Sequence, residues 1–362
     1  MITKLVLQNF RNLKKESFQF SSNLTFIIAP NAAGKTNILE AIFMLSTGKS
    51  FKARIEEECI NYDTEIARII GNSNLEIVLT RGFLDIGKSV PSRVARKKLT
   101  INKISKRLID FAGNLKVVLF APHDLDLVTD APTLRRKFLD TVISQVDREY
   151  RRAILSYDKG LRQRNRLLFR IREENVSRSH LLFWNQLLIK NGNYITDQRQ
   201  KFIDFVNNTD FKLNINTNYK LEYDRSAISE GRLEQYKNEE IASATTLVGP
   251  HRDDFLFKLE EKDLSAYGSR AEQRMGVLWL KLAELSFIER ETSEIPVLLL
   301  DDIFSELDHP HRKVVMDVIK NYQTIITAAD PHFVEEFKSK KNLQSSGKHI
   351  LSLRDKIQII NL

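Results

Sequence analysis

With one cysteine, Cys59, in 362 residues, the chain can hold neither an intrachain disulfide nor a cysteine-based zinc cluster. No apolar run approaches the ~18 residues that a membrane-spanning helix needs. The first ten residues alternate and are too polar for a signal peptide, so a cytoplasmic, reducing setting is expected. Internal repeats and low-complexity tracts are absent. Acid is missing from one stretch: residues 86–109 carry Lys88, Arg93, Arg96, Lys97, Lys98, Lys103, Lys106 and Arg107 with no Asp or Glu. What remains is ordinary for a folded protein, 42% apolar and 28% charged. Lys and Arg number 56 against 47 Asp and Glu, a formal balance of +9, which favours a polyanionic partner such as nucleic acid or an anionic surface.

Residues 1–120 read as short strands interrupted by one helix. Ile2, Leu5 and Leu7 begin an alternating strand, Phe18 and Phe20 belong to a second, and Leu24–Ile28 is a continuous buried one. Strand-like runs recur at 66–70, 75–80 and 116–120. From Pro132 to about Phe205 strand signals vanish. Tyr150, Ile154, Tyr157, Leu161, Leu168 and Ile171 follow a 3-4 spacing that predicts a long amphipathic helix, and 181–206 continues as helix. Strands return near 219–223 and 255–259. A helix with Met275, Leu278, Leu282 and Leu285 on one face follows, then the apolar strand 296–300. These elements predict an α/β domain interrupted by a helical lobe: residues 1–120 and 246–362 form the domain, 121–245 the insertion.

Ala29, Pro30, Asn31, Ala32, Ala33, Gly34, Lys35 and Thr36 lie between the buried strand and the first helix, the context that a phosphate-binding loop requires. Its amides form an anion nest, Lys35 places a fixed charge at the β- and γ-phosphates, and the Thr36 hydroxyl is suited to Mg2+. Ala29 stands where the motif has glycine, and its methyl is expected to restrict the loop. A second half lies 266 residues on (301 − 35), where an aliphatic strand ends in Asp301 and Asp302. Ligands of open α/β sheets gather at that edge. Asp301 is expected to hold the metal through water, and Asp302 to orient or deprotonate the attacking water.

These residues, with several spaced motifs, resemble the RecF family, relatives of the ABC-type ATPase heads of SMC proteins. The resemblance spans nearly the whole chain: Asn9-Phe-Arg-Asn12, the segment 31–37, Thr47–Lys52, Phe120–Leu125, Pro132 with Arg135 and Arg136, Leu161–Asn165 and Gly249–Asp253. It implies an ABC-type P-loop head, mixed sheets with flanking helices, carrying an inserted helical lobe. It also places Arg11 among the nucleotide-binding residues and Thr327 at a switch. Ser305 and Asp308 would form the D-loop, and Ser269, Arg270, Ala271 and Glu272 the signature that meets nucleotide held by an opposite subunit. Ala271 replaces the signature glycine, and Glu272 adds a carboxylate that would repel phosphate.

The implied function is an ATP- and Mg2+-dependent homodimer that grips duplex or gapped DNA and assists recombinase loading, with RecO and RecR as partners and no membrane. It would act as a slow, DNA-stimulated ATPase used as a switch. Arg93, Arg96, Lys97, Lys98, Lys103, Lys106 and Arg107 are the expected phosphate contacts. The competing reading is a nucleotide-binding scaffold that has lost hydrolysis. A transporter ATPase is disfavoured by the long, basic helical insertion.

Overall fold

The computed structural model describes residues 1–84, 92–93, 96–209, 218–305, 309–329 and 357–362. They form two compact units, one of residues 1–123 with 288–362, the other of 124–287.

Period-two alternation in the first unit builds an antiparallel sheet. Its strands are β1 (Lys4–Phe10), β2 (Leu13–Gln19), β4 (Ile66–Gly71), β5 (Leu75–Thr80), β8 (Lys97–Ile101) and β9 (Ile104–Lys106), in the order β2-β1-β4-β5-β8-β9. Strands β6 (Phe83–Leu84) and β7 (Ser92–Arg93) make a separate ribbon. The second sheet is parallel. It sets β3 (Leu24–Ile28) among β10 (Val117–Phe120), β14 (Val297–Asp301), β15 (Thr324–Ala328) and β16 (Ile357–Asn361), in the order β10-β14-β15-β3-β16. All but β16 are wholly buried, as continuous apolar strands are in a covered parallel sheet.

The helix α1 (Lys35–Thr47) shares one core cluster with both sheets and buries Ile38, Leu39, Ala41, Ile42, Phe43, Met44 and Leu45. A helix apolar on every side must be enclosed. Glu40 is fully buried in it, and its carboxylate accepts from Arg11 at 2.9 and 2.7 Å and from the Ser50 hydroxyl, the pairing a buried charge demands. Burial, together with nearby Glu40, pushes the Cys59 thiol up to about 12, so it is inert rather than nucleophilic.

The second unit holds the helices Pro132–Val146, Arg148–Glu174 and Leu181–Asn208, and an antiparallel sheet of β11 (Tyr219–Asp224), β12 (Asp254–Leu259) and β13 (Lys262–Asp263). It runs to Phe287, inside the helix Arg270–Thr292, and so passes the return at residue 246 expected from the sequence. The reason is pairing: β12 hydrogen-bonds to β11 along six residue pairs. The long helix forms as its periodicity predicts, with one surprise. Its buried stripe includes Arg164, while Ile154 and Leu161 are only half-buried.

Arg164 ties the segment 161–165 to residues 240–246. It donates to Asn185, Thr246 and Glu240 at 2.7, 2.8 and 2.6 Å, while Asn165 accepts from the Thr246 amide and hydroxyl. Arg199 donates to the Pro250 carbonyl at 2.7 Å, Asp253 at 3.0 Å and Asp140 at 2.8 Å. His251 lies between the Tyr157 hydroxyl and the Thr246 carbonyl, each at 2.9 Å. A carbonyl only accepts, so Nε2 carries the proton and Nδ1 accepts from tyrosine. Burial depresses this imidazole to about 4 and keeps it neutral. Among the described residues no helix is long and apolar enough to cross a membrane.

One buried cluster holds a carboxyl that titrates near neutrality. Lys281 lies 3.2 Å from both Asp124 and Glu284, and burial raises Glu284 to about 7 from 4.5. The folded chain therefore binds more protons than the unfolded chain between these values. The associated stability is complete below pH 4.5 and lost as pH rises through 7. Glu284→Gln should raise stability at pH 8 by on the order of 2 kcal/mol, with little change near pH 5. Thermal melts at the two pH values measure this.

Candidate functional site

The loop 29–34 leaves the C-terminal end of β3 and enters α1 through Gly34. Gly34 has φ +109°, and a Cβ there would lie 2.8 Å from the Asn12 amide oxygen, so glycine is required on two counts. The first turn of α1 has no capping side chain and no acidic residue. Its orphan amides and positive dipole end are left for an anion. Ala29 is not among the residues with positive φ, so the strain expected at this substitution does not arise. The left-handed position is Ala32, with φ +67°, where a side chain costs about 1–2 kcal/mol.

Lys35 is 5% exposed and folds back over the loop. Its Nζ donates to the carbonyls of Ala29 at 2.9 Å and Pro30 at 3.4 Å and lies 3.8 Å from Asp302. The register Asp301↔Thr327↔Ile27 carries the end of β14 across β15 to β3. There the Thr36 hydroxyl donates to the two Asp301 oxygens at 3.0 and 2.9 Å, and Thr327 donates to Asp301 at 2.8 Å. The Asp302 amide donates to the Thr327 hydroxyl at 3.0 Å. Asp302 is half-exposed, with φ +50°, which Asp tolerates better than most residues. Burial, with Asp301 adding to it, raises its carboxyl above the ordinary range, while Lys35 pulls the other way.

Thr36 and Asp301 thus bring hard oxygen donors together. Among the described residues no cluster of three or more His, Cys, Asp or Glu could hold a metal. One carboxylate and one hydroxyl suit Mg2+, which keeps several waters and takes further ligands from phosphate, rather than an all-protein cage.

Two participants went unseen in the sequence as site residues. Asn12, from the β1–β2 turn, donates to the Ala33 carbonyl at 3.1 Å and accepts from Asn37 at 2.8 Å, tying the loop to the antiparallel sheet. Glu40 holds Arg11, whose third contact is the Glu58 carbonyl at 2.7 Å. With three donors so engaged, Arg11 braces α1 in this structure. The only sequence sign for Asn12 was its place in the motif 9–12.

Ser269 begins a capping box. Its amide and hydroxyl donate to the Glu272 carboxylate at 2.7 and 2.8 Å, and the Glu272 amide donates back to the Ser269 hydroxyl at 3.3 Å. These bonds hold Glu272 below the usual carboxylate range. Arg270 and Ala271 are exposed beside them. Ser305 ends a short turn at Ile303–Ser305, whereas Asp308 and the side chain of Arg93 lie outside the described residues.

The basic run is less free than its composition suggests. Arg96 pairs with Glu57 at 3.0 Å, Lys97 with Glu56, and Arg107 with Asp110 at 3.2 Å. Lys98, Lys103 and Lys106 are exposed.

A phosphate loop after a buried strand, a carboxylate pair on a strand two places away and a long helical interruption define an ATPase head of the ABC and SMC type. The family model for the RecF/RecN/SMC N-terminal domain matches residues 1–350. The chain belongs to the RecF family. The DNA replication and repair protein RecF of Herpetosiphon aurantiacus is 35% identical, over 92% of this chain and 96% of its own. That of Halothermothrix orenii is 37% identical, over 91% and 92%. A solved structure of the recombination mediator RecF with ATP, from the RecFOR pathway, is 31% identical, covers 91% of this chain and 92% of its own, and superposes with a TM-score of 0.80.

Proposed function

We propose that this chain is an ATP-dependent DNA-binding protein of recombinational repair, working as a head dimer closed by ATP. The observation that carries the reading is the convergence of Lys35, Thr36, Asp301 and Asp302 on one loop and helix terminus. The loop amides and Lys35 bind the phosphates, and Asp302 accepts a proton from attacking water. Mg2+, held by Thr36 and Asp301, would neutralise charge developing on the phosphates. The ATP-bound relative supports ATP as the nucleotide.

In the dimer, Ser269 of one copy addresses the nucleotide of the other, with Ser305 and Asp308 nearby and Thr327 sensing the metal ligand Asp301. Glu272 occupies the same Ser269 donors that a γ-phosphate would use, so closure requires it to swing away. DNA gaps, recombinase loading and the partners RecO and RecR complete the reading, which the pathway of the solved relatives supports. Sedimentation velocity tests it: dimers with ATP and Mg2+, monomers with ADP. Monomers under both conditions would overturn the head-dimer mechanism. The scaffold reading has no observation in its favour.

A further inference from the structure

The outer face of the antiparallel sheet carries an ordered line of cations. Cross-strand partners share a face. The registers Lys15↔Gln8, Gln8↔Arg68, Arg68↔Val78 and Val78↔Lys98 therefore place Lys15, Arg68 and Lys98 in one row across five strands. All three are exposed. With strands about 4.8 Å apart, the cations recur roughly every 10 Å and span about 19 Å. Beside the row lies a depression of about 380 Å³ lined by Gln8, Asn9, Lys14, Lys15, Ile66 and Arg68. Among the described strand residues, Glu76 is the one acid that register puts on this face. It lies 3.5 Å from Arg68 and accepts from Thr100 at 3.1 Å.

We propose that this row is a track for a nucleic-acid backbone, an inference that rests on the DNA-binding reading above. One DNA strand places a phosphate every 3.4 Å along the axis, so about 19 Å accommodates five or six phosphates, of which three meet a cation. Regular spacing in a line suits a linear polyanion. An acidic protein would need buried aromatic or arginine anchors, and a membrane would need exposed apolar side chains. Among the described residues none of the exposed large apolar side chains belongs to this face. Lys98 is the one residue shared with the basic run of the sequence. Lys15 and Arg68 lie 53 residues apart (68 − 15) and are joined only by pairing.

The test is duplex binding by the full chain with ATP, followed by fluorescence anisotropy between about 50 and 200 mM salt, the range over which counterion release is steep. Lys15→Gln, Arg68→Gln and Lys98→Gln together should flatten the slope of log affinity against log salt by about 2.7, or 0.9 per lost phosphate contact. ATP turnover without DNA should not change. Lys15→Gln alone should flatten it by about 0.9, which keeps the test valid if the triple variant fails to fold. Arg96→Gln with Arg107→Gln, which lie outside this row, should flatten it less than the triple variant does. A parental slope in the triple variant would overturn the track and leave DNA binding standing at another surface. A parental chain that binds no DNA at any salt would overturn both.

Discussion

Lys35→Met is expected to weaken ATP binding by about 100-fold or more. Each charge-assisted hydrogen bond from the ammonium to phosphate contributes about 1.5–3 kcal/mol, and 1.4 kcal/mol is tenfold in affinity. The change is not structurally silent. Lys35 is buried and satisfies the carbonyls of Ala29 and Pro30, and methionine cannot donate to them. A drop of about 1–3 kcal/mol in stability should accompany the loss of affinity. Isothermal titration at a temperature well below the variant's own Tm separates the two effects. Parental affinity in a folded variant would remove Lys35 from the site.

Asp302→Asn is the second large effect, with the opposite signature. ATP should remain bound within a few-fold, hydrolysis should fall by about 10²–10⁴, and the ATP-closed dimer should persist. The substitution is clean because Asn, like Asp, tolerates the left-handed backbone at this position, and the amide to Thr327 is untouched. It removes the proton acceptor and one of two adjacent negative charges. Because burial raises the Asp302 carboxyl, the parental rate should begin to fall at a higher pH than an ordinary aspartate would give. Single-turnover measurements decide the matter. Hydrolysis at the parental rate would assign the base elsewhere.

The local parts of this site were readable in advance, because strand, loop and helix are adjacent in sequence and Gly34-Lys35-Thr36 has few other uses. Asp301 was readable because an aliphatic strand ending in two acids has a narrow meaning beside a phosphate loop. The unread parts depend on distant pairing. Periodicity placed the helix Arg148–Glu174 but gave no hint that Arg164 lies in its buried stripe, since its partners Thr246 and Glu240 are about 80 residues away. The charge count around Lys97 was right and its meaning incomplete, because the neutralising Glu56 and Glu57 come from a turn 40 residues earlier. The methyl at Ala29 looked costly because a motif carries no φ angles. The backbone puts the left-handed residue three positions later.

The strand order of the parallel sheet also bears on how the chain is made. Among the described residues β3, finished at residue 28, has only β15 and β16 as neighbours, and β15 is complete at residue 328. At about 5–20 residues per second, the ribosome needs roughly 15–60 s to deliver that strand. During this interval the phosphate loop is tethered to a nascent strand whose apolar edges have nothing to pair with. The antiparallel sheet, whose strands all emerge within the first 106 residues, is free to form early and shelter α1 on one side. ATP should therefore have no effect on the earliest folding steps and should protect only chains synthesised past β15.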